Sequence, residues 1–244
     1  MVRLVRALAR GTDDVATPAG ARLFVAALAL TLAGHLILNT LLDGIVVSGY
    51  GLTLTIDYAT TLPVGPTVAA WLLAATWLVG SWLLVVACRA FAGSTGVLSV
   101  DDLTRDALPA TLRTAIATGL GSVLVLAGFA FGVAPGVLLL AHLLFVPVFV
   151  AVDGDGLDDA AVRSWRLAAA GRVRVLALTT LAVALAVAGV VVAGAVGGGL
   201  ELLVGSVFVA AVALAVVGVA VDLRRQHDQG GPGRASGRPH SAGV

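Results

Sequence analysis

Long uncharged apolar stretches set the pattern of this chain. Leu23–Leu42, Tyr58–Cys88, Thr114–Val152 and Val175–Val221 contain no Asp, Lys or Arg, and Glu201 is the one acid within them. A membrane-crossing helix needs about 20 apolar residues, because each adds about 1.5 Å against a hydrocarbon core of about 30 Å. The first stretch fits one such helix. The second fits one that starts near Pro66, after Pro63-Val64-Gly65. The third and fourth are each roughly twice that length and must fold into hairpins. The predicted breaks are Ala134-Pro135-Gly136 and Gly197-Gly198-Gly199, the latter followed by Glu201. Proline disfavours helix in the residue before it and suits the first turn of the next helix. The reading is six spans, at about 21–42, 66–88, 113–133, 135–152, 174–196 and 200–221.

Shorter patterns lie between them. Val2, Val5, Leu8 and Ala9 alternate with Arg3, Arg6 and Arg10 at helical spacing, which predicts a basic amphipathic helix on the inner leaflet. Ser99-Val100-Asp101-Asp102 is a capping-box pattern that predicts a short helix running to Pro109. The segment 156–170 reads as a third helix, capped by Asp155, with Asp158 and Asp159 in its first turn and an Asp159–Arg163 pair. There Trp165 shares a side with Ala161 and Ala168, and Gly171 is the stop. Leu52, Leu54, Ile56 and Tyr58 alternate with polar residues at strand period, which predicts a small external β-hairpin turning at Ser48–Gly51. Residues 1–222 form one membrane domain, of fold class all-α, and 223–244, rich in Gly, Pro and Ser, form a disordered tail.

Composition agrees with a bilayer protein. The 244 residues are 59% hydrophobic and 12% charged, with a mean hydropathy of +1.04. Soluble domains carry about 25% charged residues, so a water-soluble globule and a disordered chain are both excluded. All 15 basic residues are Arg, and they sort by position. They fall before the first span, between the second and third, between the fourth and fifth, and after the sixth. Cytoplasmic flanks carry the excess of basic residues, so both termini are expected in the cytoplasm of a multi-pass cell-membrane protein. The first apolar run is longer than the 7–15 residues of a cleavable signal peptide and reads as a retained helix. Each basic connection leads into a helix pair, giving three loosely similar units. Net charge is +1, which gives no case for nucleic-acid binding.

Catalytic patterns fail on inspection. Asp153-Gly-Asp155 would need an oxygen ligand at Leu157 and an acid at Ser164 to form an EF-hand loop. The Asp155-Gly156 pair lacks the further acids of phosphotransferases that use CDP-alcohols. No intramembrane protease motif and no HExxH occurs. No metal and no cofactor is implied. Polar residues inside spans remain as candidates: Thr31, His35, Asn39 and Asp43, spaced by four on one face of the first helix, and His142 in the fourth. They read first as interhelical hydrogen bonds and second as a proton or solute path. Gly128-x-x-x-Gly132 and Gly194-x-x-x-Gly198 have the spacing of small-residue packing motifs.

Pro135-Gly136, Pro147, Asp153, Arg163-Ser164-Trp165 and Gly171 form an ordered pattern over about 40 residues. It resembles that of uncharacterised six-span membrane proteins of archaea and bacteria, which are similar to the membrane domain attached to some glycerophosphoryl diester phosphodiesterases. The resemblance implies a helical membrane module of unassigned activity. The resemblance covers the membrane part and none of the soluble catalytic domain, so the chemistry of that domain is not expected to carry over. The expected function is a non-catalytic module for assembly, regulation or envelope maintenance, with the bilayer and unidentified proteins as partners. The alternative is a small transporter or channel using the polar face of the first span.

Overall fold

The computed structural model describes residues 9–11, 13, 15–49, 52–55, 58, 60–93, 97–197 and 199–230. Six helices are long and apolar enough to cross a membrane. The first two are α1 (Pro18–Leu42) and α2 (Pro66–Ala92), each opened by a proline in its first turn, where no amide donor is needed. After the five-residue α3 (Val100–Thr104) comes α4 (Ala107–Phe131). The fourth span is a broken run of α5 (Val133–Leu143), the single turn α6 (Val146–Val148) and a π turn at Phe149–Asp153. The 14-residue α7 (Leu157–Ala170) leads into α8 (Arg172–Val196) and the 32-residue α9 (Gly199–Gly230).

Consecutive spans pair as hairpins: α1 with α2, α4 with α5, α8 with α9. Helix α9 also packs on α1 and α2, and α2 on α4, which closes the bundle. All the arginine-bearing ends lie together. Buried apolar residues concentrate there, among them Val85, Val86, Phe91, Phe145, Val148, Phe149 and Val219. The outer faces are studded with exposed apolar side chains such as Leu126, Phe131, Val133, Val190 and Val191. Water would penalise that surface and hydrocarbon would not.

The structure differs from the pattern-based expectations at several points. The α4–α5 hairpin turns at Gly132 (φ +138°), not at 134–136, and Pro135 sits in the opening turn of α5. A φ of +138° is costly for any residue with a Cβ, whereas Pro135 is compatible with a first turn. The α8–α9 hairpin does turn within the glycine run, at Gly197 (φ +65°). The Ser99–Asp102 capping box forms, yet Pro109 does not end the helix it starts. That helix stops at Thr104, and Pro109 lies in the first turn of α4. Helix α9 continues to Gly230, so 223–230 are helical, and the rest of the expected tail lies outside the described residues.

The small external β-hairpin does not stand as an element of the fold. Backbone pairing is confined to Val46–Gly49 against Leu52–Thr55, and a two-stranded ladder of that length is marginal without a third strand or a covering helix. Most of the expected amphipathic helix at the start of the chain lies outside the described residues. Its end is not isolated on a membrane surface: Gly11 is buried against Gly218 and Val219 of α9.

Candidate functional site

The arginine-rich end owes its shape to Pro147. Without an amide hydrogen, Pro147 cannot bond back to the carbonyl of Leu143, and α5 stops there. The chain re-enters as α6 and widens into the π turn. Gly154, at φ +73°, closes that turn with its N–H on the Phe149 carbonyl. The offset moves the carbonyls of Ala151 and Gly154 off the helical ladder and into reach of other helices. Arg89, at the end of α2, donates from Nε to Ala151 O at 2.9 Å and from Nη1 to the carbonyls of Arg105 and Asp102. Arg113 of α4 donates to Gly154 O at 3.3 Å. Arg89 is 7% exposed. A buried guanidinium is tolerated only when such acceptors spread its charge.

Helix α7 is locked beneath this turn. Asp153 receives Arg163 of α7 at 2.9 Å and also Arg224 of α9. Arg163 reaches Asp155 at 2.5 Å and lies over the Phe149 ring, 4.3 Å from its centroid. Partial burial alone would lower the Arg163 pKa. The hydrogen bond to Asp155 and the charges of Asp153 and Asp155 outweigh it and hold the guanidinium above its ordinary value. Asp155 therefore does not cap α7. Gly156 is the N-cap residue, without a side-chain bond. The expected Asp159–Arg163 pair gives way to these stronger partners. Ser164, fully buried, donates to the His142 carbonyl of α5. Trp165 is exposed on one side and meets the His142 ring at 4.0 Å between centroids. The buried face is Ala160, Ser164, Leu167 and Ala168, one step round from the side expected for Trp165. Gly171 caps the C-terminus through Leu167 O.

Most of the ordered sequence motif is one assembly: Pro147 breaks the span, Asp153 anchors Arg163, Ser164 and Trp165 hold α5, and Gly171 turns the chain into α8. Pro135 and Gly136 lie away from it, in the opening turns of α5, where Gly136 packs against α4.

The residues of the α1 stripe are placed as follows. Thr31 donates to Ala27 O within its own helix. His35 Nδ1 lies 2.9 Å from Ser206 Oγ of α9. Asn39 donates to Thr60 O at 3.3 Å, and Asp43 accepts from the Tyr58 amide at 2.9 Å. His142 Nδ1 sits 2.7 Å from Leu138 O. The stripe and His142 are not brought together. His142 lines a 210 Å³ cavity with Leu138, Trp165, Ala168, Arg172 and Val175. At about 30 Å³ per water, that space suits a few waters or part of an acyl chain.

Several participants were not singled out in the sequence, Arg89, Asp222 and Ser206 among them. Arg89 directly follows an apolar run and looks like an ordinary boundary charge. Asp222 ends another run, yet it is 4% exposed and takes Arg10 at 3.1 Å and Gln226 at 2.6 Å. Ser206 is one hydroxyl in a long apolar helix. Only the partner segments, distant in sequence, give these residues their roles. Arg10, Arg89, Arg163 and Arg224 each meet a carboxylate or carbonyl of another segment, an arrangement that ties segments together. Comparison with known proteins finds no matching family model, no similar curated protein and no similar solved structure.

Proposed function

We propose that the chain is a six-span integral protein of the cell membrane, with its arginine-rich end in the cytoplasm, acting as a non-catalytic module in assembly, regulation or envelope maintenance. The orientation follows the positive-inside rule. One observation carries the functional reading: several of the buried or half-buried polar and charged groups join one segment to another. Arg89 joins α2 to the π turn, Asp153 joins α7 and α9, Asp222 joins α9 to Arg10, and His35 joins α1 to α9. A hydrolytic or transfer site would instead set a nucleophile, base and orienting group around a shared reacting position. The similarity to the uncharacterised six-span family rests on the motif that builds the α7 lock, and it belongs to the same proposal.

The test replaces the native gene with Arg163→Gln, Ser164→Leu or His35→Leu and compares envelope integrity at matched protein level. Loss of the α7 lock should reproduce the deletion phenotype, and His35→Leu should not. A second reading, a small transporter or channel, is favoured by the half-buried His35–Ser206 contact between two spans. It requires a saturable solute flux in reconstituted vesicles that disappears in His35→Leu while the protein stays folded.

A further inference from the structure

The arginine-rich end is hollow between α2, α4 and the π turn. A cavity of 510 Å³ opens there, lined by Arg89, Arg105, Asp106, Arg113, Asp153 and Gly154 among others. That size falls within the roughly 300–1,000 Å³ of small-molecule sites. That space is larger than a single oxyanion fills.

The charge of the lining favours an anion. Three guanidinium groups face two carboxylates, and one of those, Asp153, is already held by Arg163 and Arg224 from outside the cavity. Asp106 remains. Arg105 also has Asp101 nearby, at 3.7 Å and largely exposed. Arg89 is fixed by carbonyls on both sides of the cavity, so its planar head is positioned in advance. The first turn of the 25-residue α4 borders the same space through Pro109 and Ala110. Its N-cap residue, Asp106, adopts the left-handed conformation (φ +44°) and makes no side-chain cap bond. Pro109 has no amide hydrogen and the Ala110 N–H is bonded to the Asp106 carbonyl, so this turn lends the cavity the positive end of the helix dipole but no free donor.

We propose that this cavity binds a phosphate group, carried on the headgroup of an anionic lipid or on a small soluble phosphate. Arginine forks match phosphate oxygens in pairs, and the remaining volume admits the group that bears the phosphate. The site lies at the level where phospholipid headgroups meet the inner ends of spans in the proposed orientation, though its chemistry does not depend on whether the module or the transporter reading holds.

The test uses the full chain in uncharged detergent with two probes. One is inorganic phosphate against chloride at equal ionic strength, read by thermal shift. The other is phosphatidylglycerol against phosphatidylcholine in nanodiscs, read by lipid retained in native mass spectrometry. Phosphate binding without phosphatidylglycerol retention assigns a soluble ligand, and the reverse assigns a headgroup. Arg113→Gln and Arg105→Gln should each weaken whichever probe binds by about tenfold. Arg166→Gln, exposed on α7, should not. Asp106→Asn removes the opposing charge, keeps a residue that tolerates φ above zero, and should tighten binding several-fold. If the parent binds neither probe, or if Arg113→Gln, Arg105→Gln and Asp106→Asn all bind as the parent does, the proposal is overturned. Should either glutamine variant fail to fold, the sign of the Asp106→Asn effect alone decides.

Discussion

Gly128 of α4 and Gly136 of α5 meet backbone to backbone: a Cβ on Gly128 would stand 3.0 Å from the Gly136 Cα. A Cβ on Gly136 would stand 2.4 Å from the root carbon of the Phe129 ring. Neither neighbour is the free end of a flexible chain, so the helices must separate to admit even a methyl. Gly136→Ala and Gly128→Ala should each destabilise the protein by about 1–3 kcal/mol, the usual cost of overpacking. Gly194→Ala, with nothing within 4 Å of its would-be Cβ, should be neutral or slightly stabilising through helix propensity. Thermal unfolding in detergent separates these outcomes. Equal midpoints for Gly136→Ala and Gly194→Ala would show that the close approach carries no energy.

The lock at α7 makes a pH-specific prediction. Arg163 has a folded pKa above its ordinary value. Its contribution is thus fully present below the unfolded pKa and fades only as pH rises through the folded one, in strongly alkaline solution. Between about pH 6 and pH 9 the guanidinium stays charged in both states, so the loss in Arg163→Gln should be flat with pH. The side chain is 39% exposed, so the loss should be about 1–2 kcal/mol, below that of a buried charged bond. Arg163→Lys should recover part of it, since a single nitrogen, Nη1, makes both carboxylate contacts, while the planar stacking over Phe149 is lost. The measurement is unfolding midpoint against pH for the three proteins. A loss that grows steadily across this range would assign it to another group.

The helices and the lock were legible to different degrees, for a physical reason. Spans follow from composition over some 20 residues, so α1 could be placed from its apolar run, and α2, α8 and α9 from apolar runs divided at Pro66 and at the glycine triplet 197–199. The turn at Gly132 was missed because Pro135 is the louder signal, although a proline serves as well inside a first turn as ahead of it. Within the site, Arg163, Ser164, Trp165 and Asp153 were visible as a sequence motif, and α7 as an amphipathic segment. Their partners were not. Asp159 is the neighbour of Arg163 on an isolated helix, but Asp153 and Asp155 lie on the preceding turn, whose path is set by the break at Pro147. The burial of Arg89 likewise depends on Ala151, 62 positions away, and no local pattern encodes that contact.

The contact between His35 and Ser206 can be weighed directly. Interhelical hydrogen bonds in membranes average about 0.6 kcal/mol in double-mutant cycles. The cycle of His35→Leu, Ser206→Ala and the double variant should therefore give a coupling of about 0.5–1.5 kcal/mol. Asn39→Leu with Ser206→Ala should be close to additive, because Asn39 bonds instead to Thr60 O. A zero coupling for the first pair would show that the two side chains share space without sharing a bond.

Orientation is open to a labelling test that the structure sharpens. Cys88 is fully buried, and Cys88→Ala removes it as a background. Ser164 is a poor reporter, since it is buried against His142 and a cysteine there would disturb the lock. Asp158, exposed on the first turn of α7, and Thr61, exposed between α1 and α2, are better positions, and they lie at opposite ends of the bundle. With arginines inside, an impermeant thiol reagent added to whole cells should label Thr61→Cys and spare Asp158→Cys. Permeabilised cells should label both. Labelling of Asp158→Cys from outside would invert the assignment. The arginine cavity would then face the exterior, and inner-leaflet lipid would be removed as a source of its phosphate while a soluble anion remained.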